Sequence, residues 1–138
     1  MSGTEPYATE EEFQQRIVHY PDIPLAELVP GTTSHIVPGE RALVSFLTMS
    51  ANSFFPPHRH EAEQIMIVID GYMDEIIEGK LYRVKKGDVI VLPSNIEHGG
   101  RIREVDCKAI DIFCPPRIDY IEKHRKALDA QRANERRG

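Results

Sequence analysis

The chain has 138 residues, 41% of them hydrophobic and 28% charged, with no tryptophan and a net charge of −5. That length fits one domain able to bury about two thirds of its surface, and no apolar run approaches the roughly 20 residues of a membrane span. The acidic balance argues against a nucleic-acid-binding face, and the polar opening MSGTEPYATEEEF has no signal-peptide features, so a cytoplasmic protein is expected.

Thr9 followed by Glu12 matches a capping box, S/T-x-x-E. Phe13 and Ile17 lie four apart on one helical face, and a short helix is predicted from about Glu10 to His19. Next comes Y-P-D-I-P-L-A-E-L-V-P-G, with Pro21, Pro24, Pro30 and Gly31. Each proline disfavours helix in the residue before it, so this stretch is extended or turning. Residues 1–34 thus read as an N-terminal helix and a proline-rich arm.

From Ser34 to Cys114 the texture changes. Short apolar, β-branched and aromatic runs follow one another: R-A-L-V-S-F-L-T-M, Q-I-M-I-V-I, E-I-I-E, L-Y-R-V, D-V-I-V-L and A-I-D-I-F. Turn signals separate them, among them Pro56-Pro57, Asp70-Gly71, Lys86-Gly87-Asp88, Pro93-Ser94-Asn95 and Gly99-Gly100. This spacing indicates an all-β antiparallel sandwich or barrel over residues 35–116. Parallel βαβ units are not expected, because no helix-length segment lies between the runs. Cys107 and Cys114 show no CxxC spacing and are expected as reduced thiols in the barrel wall.

After Pro115-Pro116, residues 117–138 are charged, rich in helix formers and free of proline, with glycine only at the last position. Ile118, Ile121, Arg125 and Leu128 make a thin stripe by which a C-terminal helix is expected to pack on the barrel. Its charges read as a solvated face.

The chemistry concentrates in H-R-H-E-A-E-Q, His58 to Gln64. Alternate residues of a strand share a face, so His58 and His60 point the same way. Gln64 keeps their even spacing, while Glu61 and Glu63 have the wrong parity and point outward. A third histidine, His98, ends G-D-V-I-V-L-P-S-N-I-E-H and begins another strand. If that strand is a neighbour, three imidazoles and an amide oxygen form a facial set with open positions, as a catalytic metal needs. Such a neutral shell leaves a divalent ion its full charge, which favours Lewis-acid chemistry and anionic substrates. Zn, Ni, Fe and Mn all suit it. His19, His35 and His124 are expected as surface or packing residues.

In A-I-D-I-F-C-P-P-R, Asp111 and Phe113 share one face of the last strand, and Ile110, Ile112 and Cys114 the other. Periodicity leaves open which face points inward. With Asp111 inward, the pocket gains a carboxylate for acid/base work, and Arg117 beyond the prolines could grip a substrate carboxylate.

Ser53 to Gly71, with H-x-H-x3-Q-x6-G, resembles the first motif of the cupins, and Gly87 to His98, G-x5-P-x-N-x2-H, resembles the second. Gln64 stands where glutamate is usual, and Asn95 where glycine is usual; Asn tolerates the left-handed turn. The resemblance implies a double-stranded β-helix (jelly-roll) barrel, with short N-terminal and C-terminal helices outside it. D-I-F-C-P-P-R-I-D-Y is further similar to single-domain cupins that linearise unsaturated uronates from pectin and alginate breakdown. That likeness implies a metal on His58, His60, Gln64 and His98, with Asp111, Phe113 and Arg117 at the substrate. The chemistry implied is ring opening of a 4,5-unsaturated galacturonate to its open-chain keto acid.

The expectation is therefore a metal-dependent lyase- or isomerase-type cupin acting on a small anionic substrate. Asp111 and Arg117 are the catalytic candidates, and Phe113 a pocket wall. A non-haem iron dioxygenase and a non-catalytic small-molecule-binding cupin are the alternatives. No helix-turn-helix accompanies the barrel, so a DNA-binding role is not expected. Exposed sheet edges and the proline-rich arm, as an exchange element, point to a homodimer.

Overall fold

The structure, a computed structural model, describes residues 5–137. Residues 1–4 and Gly138, the outer ends of the expected N-terminal and C-terminal segments, lie outside the described residues.

The capping box forms as predicted: Thr9 N–H donates to Glu12 Oε1 at 2.9 Å, and Glu12 N–H to Thr9 Oγ1 at 3.1 Å. Helix α1 spans Glu10–Arg16 and stops three residues before the predicted His19. Ile17 has already left helical geometry, and a 3-10 turn carrying Pro21 follows at Tyr20–Asp22.

Ten strands come next: β1 Ala26–Val29, β2 Thr32–Pro38, β3 Leu43–Met49, β4 Phe54–His58, β5 Glu63–Asp70, β6 Tyr72–Ile77, β7 Lys80–Lys85, β8 Val89–Leu92, β9 His98–Ile102 and β10 Cys107–Cys114. They form two antiparallel sheets, one in the order β1-β2-β3-β10-β5-β8 and the other β4-β9-β6-β7. This is the jelly-roll arrangement: β10, last in the sheet region, pairs with both β3 and β5. Strands β3 and β10 alternate buried and part-exposed residues along their length, and their buried faces meet the other sheet. Ile36, Leu43, Met49, Val68, Met73 and Phe113 form the centre of the core.

Four strands, β1, β2, β4 and β9, lie outside the runs that periodicity marks. Strand β1 forms within the proline-rich segment, between Pro24 and Pro30, and pairs with β2. Strand β4 runs through Pro56-Pro57, read from sequence as a turn. It lies at a sheet edge, where a missing N–H takes no ladder bond away. Gly99-Gly100, also read as a turn, sits inside β9. A Cβ on Gly99 would come within 2.5 Å of Phe55 O and 2.8 Å of Pro57 N. Glycine is what lets the β4 backbone approach.

Helix α2, Ile118–Arg137, packs against β1 and β2. The expected stripe is rotated. Ile118 is 76% exposed and Ile121 is exposed as well, whereas Tyr120 is buried and Ala127 packs on the core. Tyr120 wins because its ring meets Phe113 edge-on, at 5.0 Å between centroids. Both cysteines are free thiols; Cys107 is buried in the wall, while Cys114 at the end of β10 is exposed. Burial pushes the Cys107 thiol up to about 11. No described helix is long and apolar enough to cross a membrane.

Candidate metal centre and pocket

Strand pairing brings the histidines together. His58 ends β4 and lies directly opposite His98, which starts β9. His60 follows β4 in the connection to β5. Ring nitrogens of His58, His60 and His98 all lie within 4.8 Å of one another, so these three can hold a metal ion. Asn95 has φ +65°, the left-handed turn that its position before His98 demands. Glu61 and Glu63 are exposed and point away.

Each ring is oriented by a backbone carbonyl. His58 Nδ1–H donates to Pro56 O at 2.9 Å, His60 Nδ1–H to Ala62 O at 2.7 Å and His98 Nδ1–H to Ile96 O at 2.9 Å. A carbonyl can only accept, so the proton sits on Nδ1 in each. Burial, above all, holds His98 down at about 4 and His60 below the usual histidine range. Neutral rings protonated at Nδ1 present a bare lone pair at Nε2.

Those lone pairs converge. Gln64 Oε1 lies 3.1 Å from both His60 Nε2 and His98 Nε2. All three atoms are acceptors, with no hydrogen left to place between them. His58 Nε2 is buried with no partner among the described residues. A cation held by the three histidines would satisfy their bare nitrogens, and Gln64 Oε1 lies within reach of it.

The same geometry explains why residue 64 is a glutamine. Its Nε2 donates to Asp111 Oδ1 at 2.9 Å, which fixes Oε1 toward the histidines. A glutamate here would set one buried carboxylate against another, and one would have to take a proton. Gln64 and Asp111 meet diagonally across β5 and β10: Asp111 pairs with Met66, and Gln64 with Phe113. The Asp111 face is the inward one. Burial pushes Asp111 up to about 7, with the Gln64 hydrogen bond and the Arg117 charge opposing it.

Arg117 lies past the prolines, with its guanidinium 4.2 Å from the Tyr120 ring centroid and 5.2 Å from that of Phe113. Asp119 grips it with two bonds, from Nε at 3.1 Å and Nη2 at 2.7 Å, so Nη1 is not committed to Asp119. Phe113 is fully buried and packs edge-on against His60 at 5.7 Å. It backs the site, and Phe55 and Tyr120 supply the aromatic surface of the cavity.

The inner cavity measures about 30 Å³ and is lined by His58, Gln64, Glu75, His98, Asp111 and Arg117 among others. A cleft of about 360 Å³ shares Phe55, His58, Arg117 and Tyr120 with it, and its charged lining is Arg59, Arg117 and Lys123 against one acid, Asp119. That cleft is in the size range of small-molecule sites. Sequence reasoning missed Glu75, Tyr120 and Asp119. Tyr120 and Asp119 are in the quoted tail motif, but nothing local marks their contact with Arg117. Glu75 reads as the polar end of an ordinary strand.

The cupin domain profile matches residues 45–113. The chain belongs to the cupin family. This cupin is 38% identical over 77 residues to H2HPP isomerase of Bacillus subtilis, covering 55% of the chain and 32% of that protein. It is 35% identical over 66 residues to the pectin degradation protein KdgF of Dickeya dadantii, covering 47% of the chain and 60% of that protein. The matched segments thus span less than two thirds of either relative. Among solved structures, KdgF from Halomonas sp. is similar at a TM-score of 0.65 and 28% identity, over 70% of this cupin and 89% of that chain. The polyketide cyclase RemF from Streptomyces resistomycificus shares the fold, at a TM-score of 0.66 and 24% identity over 75% and 81%.

Proposed function

We propose that this cupin is a metal-dependent isomerase that opens the ring of a small 4,5-unsaturated uronate. The observation that carries the reading is the set of four convergent acceptor atoms beside a fixed, inward carboxyl. The likeness to KdgF, named as a pectin degradation protein, supplies the substrate class.

His58, His60, Gln64 and His98 would hold a divalent ion, which when bound supplies Lewis-acid polarisation of a substrate oxygen. Asp111, held inward by the bond from Gln64, takes the proton of the O1 hydroxyl. The C1–O5 bond then opens, C1 becomes an aldehyde, and O5 stays on C5 as an enolate. Delivery of one proton to C4 completes the keto acid, so the net change is an isomerisation. Arg117 pairs through Nη1 with the substrate carboxylate, while Asp119 holds its other edge. The cationic cleft draws the anion in. Pairing of two chains through sheet edges or the Tyr20–Gly31 arm, and a cytoplasmic setting, complete the reading.

The test is elemental mass spectrometry on untagged wild type and His58→Ala, beside a uronate assay following loss of the conjugated double bond's ultraviolet absorbance. Near-stoichiometric Zn, Ni or Mn and turnover in wild type only are expected. Bound iron with oxygen uptake would replace this reading with an oxygenase. Neither metal nor turnover would leave a binding module.

A further inference from the structure

A second buried carboxyl faces the same cavity from the opposite wall. Glu75 lies on β6 in the second sheet and is 3% exposed; Asp111 lies on β10 in the first sheet and is 2% exposed. Both line the inner cavity. Glu75 Oε2 is buried with no hydrogen-bond partner among the described residues. In register the nearest arginines are Arg83 and Arg101, both opposite Asp74, which alternation puts on the other face of β6; Arg83 pairs with Asp74, as does Arg103, and Arg101 lies over the Phe54 ring. In register, Glu75 lies between Tyr82 and Gly100. A Cβ on Gly100 would come 3.4 Å from Glu75 Oε1 and 2.6 Å from Met73 Cε. Glycine there keeps open the space into which the carboxyl points.

An ionised carboxylate needs donors that this wall does not supply. Burial first, and the charge of Asp111 second, push Glu75 well above the usual range. The neutral acid carries one proton and has nothing in the wall to give it to. The ring opening described above needs one base and one acid acting at different atoms of one small ring. Two carboxyls on facing walls, Asp111 fixed by the bond from Gln64 and Glu75 Oε2 with no donor, match that need.

We infer that Glu75 is the general acid of this cavity, giving its proton to C4 after Asp111 has taken one from O1. The inference rests on the ring-opening reading. The O1–H bond breaks toward Asp111, C1=O forms, and the C1–O5 bond opens to leave an enolate on C5. The C4=C5 electron pair then takes the Glu75 proton, directly or through one water, and C5=O forms. Asp111 ends protonated and Glu75 ionised. One proton crossing the cavity between them restores both, and no oxidant or reductant is consumed. A space of about 30 Å³ has room for a bridging water.

The experiment uses the full metal-loaded chain, wild type and Glu75→Gln, with 4,5-unsaturated galacturonate in D2O. Wild type is expected to place deuterium at one of the two C4 positions. Glu75→Gln is expected to bind metal at wild-type stoichiometry, to lose about 100-fold or more in kcat with a smaller change in KM, and to label both C4 positions. Infrared spectra of the substrate-free protein near neutral pH should show protonated-carboxyl intensity, to which Asp111 also contributes, and the substitution should remove the Glu75 share. Glu75→Asp, which keeps the acid but draws it back by one methylene, should fall between the two and serves if Glu75→Gln does not fold. A Glu75→Gln variant with wild-type rate and stereospecific labelling, or no such intensity lost on substitution, overturns this inference alone. A wild type that binds metal and shows the Glu75 share yet leaves the uronate unchanged overturns the ring-opening reading, and this step with it.

Discussion

Asp111 should destabilise the metal-free protein at alkaline pH, and Asp111→Asn should relieve it. The residue is 2% exposed, and burial raises its pKa from the ordinary 3.8 to about 7. Between those values the folded state keeps a proton that the unfolded chain has released. Stability therefore falls as pH rises through that window, and is flat below and above it. The full span corresponds to roughly 4 kcal/mol against the folded state once the carboxyl is ionised, and less than half of it is present at pH 5. Asparagine carries no such penalty and still accepts the bond from Gln64 Nε2, although its own amide group lacks a partner. Its stability relative to wild type should then improve by roughly 2–3 kcal/mol between pH 5 and pH 8.5. Urea denaturation of both proteins after chelation, at the two pH values, measures this difference. A pH-independent difference would mean that Asp111 is compensated when ionised, and would refute the assignment of burial as the dominant cause. Greater stability with lost turnover would be the usual trade-off at a working site.

Gly99→Ala places a Cβ 2.5 Å from Phe55 O and 3.0 Å from Pro56 C, backbone that cannot swing aside. Strand β4 must shift, at a cost of roughly 1–3 kcal/mol, and carry His58 away from His98; an unchanged urea midpoint and metal stoichiometry would contradict the close-approach argument. Asp74 accepts bonds from Arg83 Nε at 2.9 Å, Arg83 Nη2 at 3.1 Å and Arg103 Nε at 2.7 Å. The Arg83 bond, above all, holds its carboxyl down at about 2. Asp74→Asn should cost roughly 1.5–3 kcal/mol at pH 7, toward the lower end because Arg83 is exposed. That advantage of wild type is complete above about pH 4 and shrinks as pH falls toward 2; paired denaturation curves at pH 7 and pH 2.5 check it.

Much of this site is legible because β-structure alternates. Parity pairs His58 with His60, turns Glu61 and Glu63 outward and keeps Asp111 with Phe113; Gln64, on β5 in the other sheet, joins the histidines only through the connection from β4. Turn chemistry places Asn95 in its left-handed corner before His98. Strands β3, β5, β6, β7, β8 and β10 follow from apolar runs bounded by turn residues. All of these are local properties, set within a few residues by backbone sterics.

What local pattern does not contain is which surfaces meet. Whether the Asp111 face points inward is decided by β10 pairing with β3 and β5. Pro56-Pro57 and Gly99-Gly100 read as turns until β4 and β9 are laid edge to edge, where the prolines lose no bond and the glycines admit a backbone. The turn of α2 that buries Tyr120 rather than Ile118 depends on the Phe113 ring. Glu75 becomes a buried carboxyl facing Asp111 only when two sheets close over one cavity. Periodicity says which residues share a face; the packing of faces far apart in sequence says what each of them touches.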